Sequence, residues 1–187
     1  MKKLTISFLF ILAAVSVKAQ NKIEIGLVAG GGYLNTITSE NEFKLTNSFS
    51  VNGGLYVLKP VFNRQFVESG LRYNFRKTAI DEMFLQVDMD LNSLELPINY
   101  GWKLNNNIVV KAGLSGAWLL TKNIEREKFE MNAQLGAGYD LNWVKIFLNY
   151  QHGINKSDFM YKRDNRGLFI KYRRSVIMFD VNIPIFR

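Results

Sequence analysis

Along residues 129–141 apolar and polar side chains alternate without a break. Phe129, Met131, Ala133, Leu135, Ala137, Tyr139 and Leu141 occupy one set of positions, and Glu130, Asn132, Gln134, Gly136, Gly138 and Asp140 the other. A period of two puts the two sets on opposite faces of a β-strand. The alternation recurs along the chain in segments of roughly ten residues, with no amphipathic helix between them. It predicts eight strands near 22–33, 49–59, 65–76, 92–104, 107–120, 128–141, 143–152 and 173–186. Each is close to the roughly 9–11 residues that a tilted strand needs to cross a bilayer. On the fourth, Leu94, Leu96, Ile98, Tyr100, Trp102 and Leu104 oppose Ser93, Glu95, Asn99 and Lys103. The second strand is the least regular, since Val51, Leu55 and Val57 are opposed by Tyr56 and Leu58.

The links between these segments alternate in length. Those at Pro60 to Arg64, Asn105-Asn106 and Asn142 are tight, whereas 34–48, 77–91, 121–127 and 153–172 are longer and rich in charge. Short periplasmic turns and long outer loops are the habit of outer-membrane barrels. The fold class expected is therefore all-β: an eight-stranded antiparallel up-and-down transmembrane β-barrel, with short periplasmic turns, longer extracellular loops and both termini periplasmic. Aromatic residues should then gather at the two ends of the lipid-facing surface, where an amphipathic ring spans apolar and wet regions. Tyr33, Phe49, Phe75, Trp118, Phe129 and Tyr150 fall at the outer ends, and Tyr100, Trp102, Tyr139, Trp143 and Phe186 at the inner ends.

A soluble barrel such as a lipocalin shows the same period. The polar face decides between them. It carries Glu24, Asn52, Glu68, Arg72, Asn74, Arg76, Glu95, Asn99, Lys103, Lys111, Glu130, Gln134, Asp140, Lys145, Asn149, Asp180 and Asn182. A barrel of this strand number has room inside only for side chains or one small ligand. Packing the aromatic-rich face inward would overfill it, and a lipocalin has no reason to sort aromatics to strand ends. The expected lumen is a charge network of Glu68, Arg72, Arg76, Glu95, Lys111, Glu130, Lys145 and Asp180, whose opposite charges neutralise one another and plug the interior. An ion path through the same charges is the competing reading.

Residues 1–19 read as a cleaved signal peptide and 20–187 as the barrel domain. Lys2 and Lys3 precede an apolar run from Ile6 to Val15, and Val17-Lys18-Ala19 offers a cleavage site. About ten apolar residues are too few for a spanning helix, which needs ~20. The chain has no Cys, which excludes disulfides, thiolate metal ligands, a thiol nucleophile and a lipoprotein anchor.

The formal net charge of +8 includes Lys2, Lys3 and Lys18, so +5 remains without them. Lys156, Lys162, Arg163, Arg166, Lys171, Arg173 and Arg174 crowd one late segment against Asp158 and Asp164, which accounts for that surplus. This is a local patch, and nucleic acid is not expected as a partner. Within the loop 153–172 the cations interleave with Phe159, Met160 and Tyr161. Lys156, Lys162, Arg163, Arg166, Arg173 and Arg174 are the candidate contacts for anionic lipid, lipopolysaccharide phosphates above all, or for another envelope protein.

Several segments resemble a known family. Leu91-Asn-Ser-Leu-Glu-Leu-Pro-Ile-Asn-Tyr-Gly-Trp is similar to the YLEIPL strand of the small outer-membrane β-barrels abundant in Bacteroidetes, the porin-family or PorT-like barrels. Val110-Lys-Ala-Gly-Leu-Ser-Gly-Ala-Trp-Leu-Leu is similar to that family's glycine-rich next strand, and Gln134-Leu-Gly-Ala-Gly-Tyr-Asp to its GAGY strand. Ser93 stands where the first motif has an aromatic residue. The resemblance implies fold and outer-membrane location, and no shared biochemical activity.

Catalytic chemistry finds little support. His152, the single histidine, shares its parity with Val144, Ile146, Leu148 and Tyr150, which places it at the lipid–water boundary, away from the lumen. A general base there would need a serine and a carboxylate beside it. Gly30-Gly31-Gly32 lacks the lysine and helix of a phosphate loop, and Ser48, Ser50 and Ser115 lack a nucleophile elbow. With one His and no Cys, no metal site is expected, nor any other cofactor. The expectation is a non-enzymatic outer-membrane barrel acting as a structural or interaction component of the cell envelope. A narrow channel for small solutes or ions is the alternative, and an enzyme acting on envelope lipid comes third.

Overall fold

A computed structural model of the chain describes residues 23–38, 44–46, 48–82, 85–120, 128–163 and 166–187. Among the described residues eleven strands form, in chain order: β1 (Glu24–Thr38), β2 (Lys44–Thr46), β3 (Ser48–Phe62), β4 (Gln65–Glu82), β5 (Leu85–Asp90), β6 (Ser93–Lys103), β7 (Ile108–Leu119), β8 (Phe129–Asp140), β9 (Lys145–Gly153), β10 (Ser157–Arg163) and β11 (Arg166–Phe186). Eight of them, β1, β3, β4, β6, β7, β8, β9 and β11, pair antiparallel in sequential order. β11 returns to β1 along a ladder from Ile25↔Phe186 to Thr38↔Tyr172, so the sheet closes and no stave is left with an open edge. The eight staves coincide with the eight segments of alternating sequence.

Two staves run further than their two-faced pattern. β4 continues to Glu82 and pairs with β2 and β5, and β11 starts at Arg166 and pairs with β10. Much of 77–91 and 153–172, expected as loop, is thus paired strand. The ladder hydrogen bonds of an antiparallel hairpin need no apolar face, so pairing continues after the two-faced pattern has stopped. Residues 1–19 and 121–127 lie outside the described residues, as do the side chains of Lys162, Arg163 and Arg166.

The opposite end of the barrel turns tightly. Asn63-Arg64 joins β3 to β4. Between β6 and β7 the Asn105 side-chain oxygen accepts from the backbone N–H groups of Asn107 (2.9 Å) and Ile108 (2.6 Å). Between β8 and β9, Leu141 N–H donates to the Val144 carbonyl at 2.8 Å, and Asn142 takes φ 71°. This left-handed conformation suits Asn better than most residues. β1 begins and β11 ends at this same end.

Alternation along the staves sorts side chains as the sequence implies, with the apolar set outside. Leu135, Leu148 and Ile98 are 61%, 59% and 56% exposed on the outer wall. Tyr33, Phe49, Trp118, Phe129 and Tyr150 ring one end of this wall, and Tyr100, Trp102, Tyr139, Trp143 and Phe186 the other. Register joins members of the first ring, with Tyr33 opposite Phe49 and Trp118 opposite Phe129. Inside, Glu68, Glu95, Asp180, Arg72 and Arg76 are each 2% exposed or less.

Candidate functional site

The lumen is the place where side-chain chemistry concentrates. At its centre the carboxylate of Glu68 (β4) accepts from Lys111 Nζ (β7) at 2.7 Å, from Asn99 at 3.4 Å and from Arg72 at 3.5 Å. Arg72 also reaches Asp180 (β11) at 3.1 Å. Asp180 accepts further bonds from Asn52 (2.8 Å) and Asn149 (2.7 Å). The cluster therefore ties β3, β4, β6, β7, β9 and β11 together across the interior. Towards the long-loop end, Glu95 accepts from Asn74, Gln134 and Gln151 at 2.6–2.7 Å, with Arg76 at 3.7 Å. Above it Arg174 pairs with Glu130, beside Tyr172. At the tight-turn end Lys145 pairs with Glu24, which also receives Arg187 at 3.2 Å and the Tyr56 hydroxyl at 2.8 Å. The lumenal residues expected from sequence all face inward, and each expected charge finds an opposite one. Among the inward carboxylates Glu24, Glu68, Glu95, Glu130, Asp140 and Asp180 balance Arg72, Arg76, Lys103, Lys111, Lys145 and Arg174. A neutralised lining lacks the net field that would draw ions of one sign into a pore.

A second feature was not anticipated. Val28 (β1), Tyr56 and Leu58 (β3), Phe66 (β4), Val109 (β7) and Phe147 (β9) point inward and pack on one another, none more than 5% exposed. They come from five of the eight staves and form an apolar septum across the lumen below the charge network. Each of its three aromatic rings lies on a glycine directly opposite in the neighbouring strand: Tyr56 on Gly26, Phe66 on Gly101 and Phe147 on Gly138. A Cβ at any of these glycines would overlap the ring beside it, so the absent side chain is what lets the ring lie flat against the wall. Lys111 Nζ sits 4.0 Å from the centre of the Phe147 ring, joining network to septum. Below the septum, a cavity of about 270 Å³ opens towards the tight-turn end, lined by Glu24, Leu58, Phe66, Lys145 and Arg187 among others. The sequence sign of the septum is an apolar residue on the polar parity: Tyr56 and Leu58 on β3, and likewise Phe66 on β4, Val109 on β7 and Phe147 on β9.

The basic segment divides. Lys156 is exposed just after β9, and Arg173 points outward from β11. Arg174 has the opposite parity and lies in the lumen, 4% exposed, against Glu130. It belongs to the interior network and not with headgroup contacts on the outside.

His152 lies on the outer wall, as its parity implied. Its Nδ1 is 2.8 Å from Ser175 Oγ on β11, and its ring stacks on Tyr150 at 6.3 Å. Among the described residues no carboxylate joins this pair, and no group of three or more His, Cys, Asp or Glu could hold a metal ion. The Gly30–Gly32 run sits within β1, where Gly30 leaves room for the Asp180 carboxylate.

No protein-family model matches the chain, and no curated protein matches it. Solved structures do. The outer membrane protein OprG of Pseudomonas aeruginosa aligns over 89% of this chain and 96% of its own, with 12% identity and a TM-score of 0.53. Outer membrane protein W of E. coli aligns over 89% and 100%, with 14% identity and a TM-score of 0.50. A FadL homologue of Pseudomonas aeruginosa is larger: the chain spans 37% of it, with 12% identity and a TM-score of 0.41. At these identities the likeness to OprG and outer membrane protein W is one of fold, that of small eight-stranded outer-membrane barrels.

Proposed function

We propose that this protein is a closed, non-enzymatic β-barrel of the bacterial outer membrane, a structural or interaction component of the envelope with both termini periplasmic. The exposed apolar wall supports the membrane setting: a closed barrel satisfies every backbone group internally and can offer hydrocarbon-compatible side chains to lipid. The observation that carries the sealed state is the septum of Tyr56, Phe66 and Phe147 beneath a charge-balanced network. Water and ions meet an apolar layer there without polar partners, and desolvating an ion in such a layer is costly. The motifs in β6, β7 and β8 support placement among the Bacteroidetes-type barrels, and the outward cations Lys156 and Arg173 support contact with anionic lipid such as lipopolysaccharide. Contact with other envelope proteins would fall on the paired extensions beyond the barrel.

Planar-bilayer recording of the purified, refolded protein tests this reading. The expected result is no steady conductance from the natural sequence, and ion flow once Tyr56, Phe66 and Phe147 are all changed to Ala. Reproducible single-channel steps from the natural sequence, altered by neutralising Arg72 or Glu130, would establish the channel instead.

A further inference from the structure

The charge balance of the lumen ends at the tight-turn mouth. Inward carboxylates and inward cations match one for one without Arg64 or Arg187. Both of these line the cavity below the septum, together with Lys103 and Lys145. Against the four cations stand Glu24 on the wall and Asp140, which is paired with Lys103 at 3.1 Å. Two side-chain cations are therefore in surplus at this end.

Donor capacity is in surplus there as well. The Glu24 carboxylate already accepts from Lys145, from the Tyr56 hydroxyl at 2.8 Å and from Arg187 at 3.2 Å. The Lys145 side chain is 3% exposed, and Glu24 is the one partner of its ammonium group among the described residues. An ammonium group carries three N–H donors, so two of them are unused in the cavity wall. The Arg64 guanidinium, on the exposed turn between β3 and β4, meets no carboxylate among the described residues. An exposed turn arginine alone would be ordinary. This one stands at the rim of a cavity that already holds a buried ammonium group with open donors. The roof has the opposite character, since Leu58 and Phe66 of the septum form it.

We propose that this cavity binds an organic carboxylate with a short apolar body. Arg64 and the open donors of Lys145 take the carboxylate, and the body lies against Leu58 and Phe66. The planar guanidinium fork of Arg64 suits a carboxylate, which it can meet through two parallel hydrogen bonds. A cavity of ~150 Å³ holds a benzene-sized molecule, so the 270 Å³ here has room for roughly ten non-hydrogen atoms. A small free acid presents this chemistry, and so does the last residue of another chain.

Nuclear magnetic resonance of the full chain in uncharged maltoside micelles tests the site, read at the backbone amides of Arg64, Gln65, Lys103 and Lys145. The probes are phenylbutyrate, its neutral amide, acetate and the peptide Ala-Ala-Phe with a free C-terminus. Phenylbutyrate should bind at least tenfold more tightly than phenylbutyramide or acetate. Arg64→Gln should weaken phenylbutyrate fivefold or more and leave the amide unchanged. Leu58→Phe, which fills the roof, should weaken phenylbutyrate and leave acetate unchanged. Heat-modifiable migration checks that each variant folds, and Arg64→Gln, on an exposed turn, carries the test if Leu58→Phe does not. A peptide that binds more tightly than phenylbutyrate assigns the site to a chain end, and the reverse order assigns it to a free acid. Equal binding of the amide or of acetate, undiminished binding by Arg64→Gln, or no response at these amides would overturn the proposal. The roof is shared with the sealed reading, yet the two fail separately. Steady conductance with selective binding intact would overturn the seal alone, and absent binding without conductance would overturn the site alone.

Discussion

Replacing Glu68 with Gln removes one negative charge from the middle of the lumen and leaves side-chain volume almost unchanged. Lys111 then loses the carboxylate 2.7 Å from its ammonium group, and it is 4% exposed. Arg72 is less affected, since Asp180 remains 3.1 Å away. Leaving one buried charge without its partner costs about 3–5 kcal/mol. The Phe147 ring, 4.0 Å from Lys111 Nζ, offsets part of that, up to ~2 kcal/mol for a desolvated cation–π contact. The net expectation for E68Q is a loss of about 2–4 kcal/mol. Adding Lys111→Met removes the orphaned charge and keeps an unbranched apolar chain against Phe147. Exchange of a whole buried pair for apolar groups is often close to neutral, so E68Q/K111M should return to within about 1–2 kcal/mol of the natural sequence. Urea titration in phosphatidylcholine vesicles, followed by the emission of Trp102, Trp118 and Trp143 on the outer wall, measures both. If E68Q unfolds at the same urea concentration as the natural sequence, Glu68 does not hold Lys111 as described. A double variant no more stable than the single one would show that the lost charge pairing was not the cause.

Four other outcomes follow from the geometry. Lys103→Gln should cost less than about 1 kcal/mol in the same titration, because its pair with Asp140 is held by a lysine side chain 40% exposed to solvent. Gly101→Ala should cost about 1–3 kcal/mol by pushing a methyl group into the Phe66 ring, and adding Phe66→Leu should recover part of it; an unchanged Gly101→Ala would show that the ring does not need the notch. Asn142→Gly should leave stability unaltered, whereas Asn142→Val should lower it by about 1–3 kcal/mol, since a β-branched residue is strained at φ 71°. Cysteines placed at Asp81 or Ser157, on the extensions beyond the barrel, should react with an impermeant reagent on intact cells while one at Asn106 stays unlabelled; the reverse pattern would invert the barrel in its membrane.

Stave number, the face each side chain takes and the two aromatic rings were all legible along the chain. They depend on a period of two and on link length, which are local properties. His152 illustrates the same point: parity with Leu148 and Tyr150 was enough to put it on the outer wall. Arg174 shows where a local reading stops. It was grouped with Arg173 by proximity in sequence, yet neighbouring residues of a strand face opposite ways, and Glu130 on β8 draws Arg174 inward. Both lie inside the strand expected at 173–186, whose parity separates them; the grouping followed the run of charge along the chain instead. The extensions of β4 and β11 were missed because their pairing is carried by backbone hydrogen bonds and leaves no two-faced pattern.

The order of residues by itself determined an eight-stave barrel with its charged face inside, because alternation and closure leave the apolar face nowhere to go but outward. It also determined that cations and carboxylates would share the lumen in similar number. Which charge meets which was decided only by closure. Lys111 and Glu68 are 43 residues apart, and Lys145 and Glu24 are 121 residues apart. Such pairs come within reach only when the stagger of the whole barrel sets their heights. The septum is likewise a product of register: Tyr56, Phe66 and Phe147 each needed a glycine opposite them on another strand, and no local pattern on either strand specifies that coincidence.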